Sequence, residues 1–286
     1  MTETALTDVP VTYSSTQSER GGSLTVEYNP RDVLANTIGH VLAIADTHLQ
    51  YLTLNHVFEN ASPDLAKDMF NRWKDVPWRG DIKVRIGHSS LWDELGRTFS
   101  LDAAEGRPNL FTRVIGLPWT GLSWVESKLF RHNYFNPFTN AATVYHPHEA
   151  FGMHELGRAQ FYDEHKHSVY LRVLGALTLL PVASFFEWKS SANAMKRFES
   201  DVQRERATKI LEPRFGGTLM SELFLPANLL FPGLSTLVSP LMNWAGGLIS
   251  GHILSRLPNK RERFGWVFGN DSQPPPSAAH LAPAMV

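Results

Sequence analysis

Met153-His154-Glu155-Leu156-Gly157-Arg158 is the stretch on which the reading of this chain turns. On a helix, residues four apart lie one turn apart on the same face. The pattern H-E-x-x-H uses that spacing to aim two imidazoles at one zinc ion, while the glutamate between them polarises a zinc-bound water. His154 and Glu155 supply the first imidazole and the glutamate, but Arg158 stands where the second imidazole belongs. A guanidinium stays protonated and has no lone pair to give, so Arg158 is not a zinc ligand. The layout is that of a metal helix, and one of its side chains opposes the metal.

The flanking sequence adds weight to His154. A second His-Glu pair, His148-Glu149, is what twelve histidines produce by chance and is read as noise. Upstream, Asn136 to Tyr145 reads as a turn followed by a short strand of β-favouring residues. His146-Pro147 breaks that strand, and Glu149 to Phe161 reads as a helix. Downstream, Phe185-Phe186-Glu187-Trp188-Lys189-Ser190-Ser191-Ala192-Asn193-Ala194 places a glutamate on a second helix. An antiparallel helix hairpin would return Glu187 to His154. Glu199-Ser200-Asp201 is a further carboxylate candidate and reads as a solvated face, as do His165 and His167 at a polar helix end.

Strand, break, His-Glu helix and following glutamate helix together resemble the membrane-associated gluzincin metallopeptidases, the class that holds the prenyl-protein and heat-shock membrane proteases. The likeness extends to small membrane proteins with a strand, an H-E-x-G-H-A helix and an apolar glutamate helix. It covers residues 136–194, roughly a fifth of the chain, and breaks at Arg158. By that resemblance His154 is a metal ligand, Glu155 the general base, Glu187 the third ligand, and zinc the cofactor. With Arg158 in place the fixed charge of a guanidinium can stand in for the dication between the carboxylates, because a buried carboxylate without a counter-charge is costly. The alternative is an exposed Glu155–Arg158 pair at i,i+3 on a helix with no site history.

The rest of the chain reads as membrane-associated. Charged residues make up 19% of the total, and Leu223 to Ser255 contains no Asp, Glu, Lys or Arg. About 20 apolar residues span a bilayer, and Arg256, Lys260, Arg261 and Arg263 follow, which puts the C-terminal end on the cytosolic side. Phe111, Ile115, Trp119, Leu122, Trp124, Val125 and Leu129, interleaved with Arg113, Lys128 and Arg131, suit either an interfacial segment or an ordinary amphipathic helix packed on a soluble core. Ile82-Lys83-Val84-Arg85-Ile86 alternates as a strand does, and Ser62-Pro63-Asp64 opens a helix that carries Leu65, Met69 and Trp73. Another helix is expected from Asn29-Pro30, with Leu34, Ile38, Val41, Leu42, Ala45, Leu49 and Leu52 forming one apolar face.

The expectation is a mainly α, helical membrane-associated protein with a zincin-like helix pair and one or two short β-strands. Its parts are a disordered tail (1–28), an N-terminal helical region with the interfacial segment (29–135), a zincin-like core (136–222), a membrane-embedded segment (223–257) and a basic, then disordered tail (258–286). The absence of cysteine excludes disulfides, thiolate metal sites and cysteine nucleophiles. A net charge of −1 gives no reason to expect nucleic acid. The expected partners are a lipid membrane and a protein or peptide. Three functions fit: a catalytically impaired metallopeptidase homologue acting by binding or scaffolding, an active zinc metallopeptidase using His154, Glu155 and Glu187, and a structural helical membrane protein.

Overall fold

In the computed structural model, residues 9–15, 20–37, 60–100, 108–165, 169–177 and 183–211 are described. The centre is β3 (Ile82–Ile86), a strand that alternates between two kinds of side chain. Successive strand residues point to opposite faces of a sheet. Ile82, Val84 and Ile86 therefore share one face and Lys83 and Arg85 the other.

Around it forms a five-stranded mixed sheet. β2 (Leu24–Tyr28) runs parallel to β3, with Leu24 opposite Ile82, and β1 (Val11–Ser14) lies antiparallel at the edge. On the other side, β5 (Ala141–Val144) is parallel to β3 and carries β4 (Tyr134–Asn136) antiparallel at the second edge. The β4–β5 turn ends on Asn140, whose φ of 54° is a left-handed conformation that Asn tolerates.

The two faces of the sheet are chemically different. On the apolar face, Leu24, Val26, Ile82, Val84, Ile86, Ala142 and Val144 are buried in one hydrophobic cluster. Two helices cover it. One is α2 (Pro63–Trp73), capped by Ser62 and with Pro63 in its first turn. The other is α6 (Glu149–Glu164), which brings Met153 and Leu156 into the same cluster. The opposite face is polar and is covered by α3 (Leu91–Phe99), α4 (Leu110–Ile115) and α5 (Leu117–Phe130). There Arg85, at 1% exposed, donates to Glu94 of α3 at 2.6 Å, and Asn136 of β4 donates to the same glutamate at 3.1 Å. The short α1 (Val33–Asn36), capped by Asp32, also packs on α5. α7 (Val169–Leu177), α8 (Ala183–Met195) and a helical stretch over residues 201–211 complete the described fold.

The sequence-based picture needs correction in two respects. The fold is not mainly α with one or two strands: it is α/β with a five-stranded sheet. The strand at Ile82–Ile86 and the one ending near Tyr145 were expected, but β1 and β2 lie within the supposed tail. Each is at most five residues long, and β2 finds its partner β3 only across the intervening helices, a long-range pairing that no local pattern announces. The second correction concerns the membrane. Among the described residues no helix is long and apolar enough to cross a membrane. With the α/β architecture, this overturns the expectation of a membrane-associated, transmembrane, membrane-localised chain. The expected interfacial segment is α4 and α5, folded over the polar face of the sheet. Most of the helix expected after Asn29-Pro30 and the segments 223–257 and 258–286 lie outside the described residues.

Candidate functional site

α6 and α8 cross closely, and one residue sets how closely. A Cβ on Gly157 would come within 2.1 Å of the Ser190 carbonyl oxygen, so only glycine permits this approach. Asn193 reinforces the crossing by donating from its amide to the Gly157 carbonyl at 3.2 Å. Beside this contact the facing sides of the two helices present His154, Glu155 and Arg158 to Glu187 and Ser191.

The four ionisable groups form one connected cluster. His154 Nε2 lies 2.8 Å from Glu187 Oε2. Arg158 reaches the other oxygen of Glu187 through Nη2 and reaches Glu155 Oε2 through Nη1 at 3.3 Å. On the far side of the ring, His154 Nδ1 is 3.1 Å from the Ser191 hydroxyl. The ring's tautomer sets the roles: with Nε2 bare, it accepts from Arg158 and Nδ1–H donates to Ser191; with Nε2 protonated, Nε2–H faces Glu187 and Nδ1 accepts from Ser191. Arg158 Nη2 also lies 3.3 Å from Nε2, close enough to donate to it when that nitrogen is bare. His154 and Glu155 are completely buried, while the Arg158 and Glu187 side chains keep 16% and 12% exposure. One guanidinium thus bridges two carboxylates at the mouth of a buried pocket of charge.

Aromatic rings close off the neighbourhood. Tyr162 stacks on Phe186 at 5.7 Å and on Phe135 at the same separation. Burial, together with the nearby Glu187 charge and despite Arg158 and Arg172, pushes the Tyr162 hydroxyl up to about 12. It therefore stays a neutral phenol near neutral pH.

These residues do not fit zinc. Two ligand atoms each 2.0–2.1 Å from a tetrahedral zinc sit about 3.3 Å apart. His154 Nε2 and Glu187 Oε2 are instead at hydrogen-bond distance, and a protonated guanidinium occupies the i+4 position. Among the described residues no group of three or more His, Asp or Glu is disposed to hold a metal ion. The sequence-based set of His154, Glu155 and Glu187 is brought together, but around an organic cation. The other candidates are elsewhere. His148 is the N-cap of α6, accepting from Ala150 N at 3.4 Å, and Glu149 faces Arg72 at 3.6 Å. His165 binds the Phe161 carbonyl at 2.8 Å, Asp201 pairs with Arg204 at 3.0 Å on the surface, and His167 lies outside the described residues.

A second buried polar cluster, under α5, was not anticipated. Asp32 Oδ2 accepts from Lys128 Nζ at 2.5 Å, from the Tyr145 hydroxyl at 2.5 Å and from Ser89 N at 3.2 Å. Burial alone would raise the Asp32 carboxyl. The hydrogen bonds from Lys128 and Tyr145 and the Lys128 charge outweigh it and hold Asp32 below the ordinary range. Burial and the Asp32 charge push Tyr145 well above its ordinary value. The available signal was the spacing of Thr120, Ser123 and Ser127, which puts hydroxyls on the inner face of α5 and leaves Leu122 and Val125 on the exposed side. No protein-family model, curated protein or solved structure matches this chain.

Proposed function

We propose that the α6–α8 pair is a metal-free derivative of a zinc-peptidase core, in which Arg158 carries the positive charge a zinc ion would supply, and that the chain acts by binding or scaffolding a protein or peptide rather than by hydrolysis. The observation that carries this reading is the Arg158 guanidinium set between Glu155 and Glu187, with the His154 ring turned onto Glu187. A hydrolase of this kind needs an open metal position for water. Here Glu155, the residue that would polarise that water, is ion-paired on its own helix.

The fixed charge has a physical rationale. Two carboxylates on facing helices repel, and each resists burial unless a cation is shared between them. Arginine's planar fork can serve two carboxylates at once, which lysine's point charge does less well. The test is metal analysis of the purified full-length chain after incubation with excess zinc and desalting, with peptidase activity measured on an unfolded protein substrate. The expected result is zinc far below one per chain and no cleavage. Stoichiometric zinc with cleavage that is lost in Glu155→Gln would establish the active metallopeptidase instead.

A further inference from the structure

The three helices on the polar face of the sheet are inverted relative to ordinary surface helices. α3 buries Glu94 and Thr98 and exposes Trp92 (83%) and Phe99. α4 buries Thr112 and Arg113 and exposes Phe111 (69%) and Ile115. α5 buries Thr120, Ser123 and Ser127 and exposes Leu122 (51%) and Val125. These outer residues share one face, because α3 is tied to its neighbours at both ends. Ser127 of α5 bonds Ser89 just before α3, and Arg113 of α4 donates to the Arg97 and Ser100 carbonyls at the far end. A contiguous apolar surface of this kind marks a contact site.

We infer that this face is the surface through which two copies of the chain associate about a two-fold axis. The spacing of its residues selects a helical partner. Phe111, Ile115, Pro118, Leu122 and Val125 are all exposed and alternate steps of four and three, the stripe by which one helix packs along another. A two-fold axis lays the same stripe antiparallel against itself. The charge pattern permits a second copy, whose charges would meet their own sign. Asp93 and Glu94 are turned onto Arg85, Arg97 onto the Thr139 carbonyl and Lys128 onto Asp32, which leaves Glu126, half-buried beside Val125. The area is adequate. An aromatic side chain buries about 150–250 Å², so Trp92 and Phe111 together offer roughly 300 Å². With Phe99 and the aliphatic residues each copy contributes on the order of 700 Å², close to the roughly 800 Å² per partner of a stable interface. Two glycines agree with this. Among the described residues, a Cβ on Gly96 of α3 or Gly121 of α5 would meet no atom within 4 Å. Glycine destabilises a helix relative to alanine, and packing within one chain gives no return for it here. Close approach of a second backbone does.

Sedimentation velocity of the purified full-length chain over a micromolar concentration series is the test. The parent should run at twice the chain mass. Phe111→Asp and Leu122→Asp should each raise the dimer Kd at least about tenfold while keeping the parent's circular dichroism and melting temperature, since both side chains are exposed in the single chain. Val202→Asp, equally exposed but on the helical stretch that packs into the apolar core on the other side of the sheet, should leave the dimer intact. A second readout covers aspartate variants that fold poorly. The chain has no cysteine, so the thiol of Leu122→Cys can be followed alone. It should react with a maleimide about tenfold faster after dilution to monomer than in the dimer. A parent that stays monomeric throughout the series would overturn the inference, and its flotation with phosphatidylcholine vesicles would assign the face to lipid instead. A dimer that both aspartate variants retain would also overturn it.

Discussion

Replacing Arg158 with Ala asks the α6–α8 interface to hold two carboxylates after the cation between them has gone. Glu155 is completely buried and Glu187 nearly so, with 12% of its side chain exposed, so solvent screens the loss only slightly. At an effective dielectric of about 20, each charge pair near 4 Å is worth roughly 4 kcal/mol before desolvation. Removing one partner of a buried pair costs about 3–5 kcal/mol net. The partial exposure of Glu187 and Arg158 puts the expectation at the lower end, about 3 kcal/mol. For a folded region of this size that corresponds to a melting temperature lower by about 10 °C. Thermal unfolding of the parent, Arg158→Ala and Arg158→Met separates charge from packing, because Met keeps most of the volume and none of the charge. Both variants should fall by similar amounts, and adding Glu187→Gln to Arg158→Ala should recover part of the loss. If both single variants melted within a degree or two of the parent, the guanidinium would not be balancing the carboxylates, and the argument for a charge-substituted metal site would fail.

Other perturbations probe separate links. Gly157→Ala drives a methyl into the Ser190 carbonyl, so α6 and α8 must separate; a loss of about 1–3 kcal/mol in urea unfolding is expected, and an unchanged midpoint would show the crossing to be looser than described. The depressed carboxyl of Asp32 contributes stability that is present above its unfolded value, near 4, and is lost as pH falls through its lower folded value. The stability difference between parent and Asp32→Asn should therefore be largest near neutral pH and shrink below about pH 4; a difference that stays constant across that range would refute the assignment.

The site was more legible in the sequence than the fold around it. His154, Glu155 and Arg158 sit at fixed helical spacing, so their shared face follows from geometry alone, and one well-placed glutamate on a later helix was enough to suggest Glu187, although α7 intervenes. Ser191 was visible only as a small polar residue, since nothing in the sequence says which hydroxyl turns toward an imidazole. The sheet was harder. Ile82–Ile86 shows clean alternation because its two faces meet opposite environments, apolar under α2 and α6, charged under α3. β2 alternates just as well in Leu24-Thr25-Val26-Glu27-Tyr28, but a Ser/Thr-rich setting with mixed charge hid it. The membrane expectation had a specific physical source in the described region. Apolar residues of α4 and α5 face outward because hydroxyls and buried charges occupy the inner side, and a hydropathy reading cannot distinguish an inverted surface helix from an interfacial one.

The most direct test of the central claim is a zinc titration of Arg158→His beside the parent, followed by competition with a fluorescent chelator. Restoring an imidazole at the i+4 position completes, together with His154 and Glu187, the three-ligand set of a zinc hydrolase. Arg158→His should take up close to one zinc per chain, and the parent none at the same free zinc concentration. A parent that binds zinc as tightly as Arg158→His, or an Arg158→His variant that folds and binds no more than the parent, would contradict it.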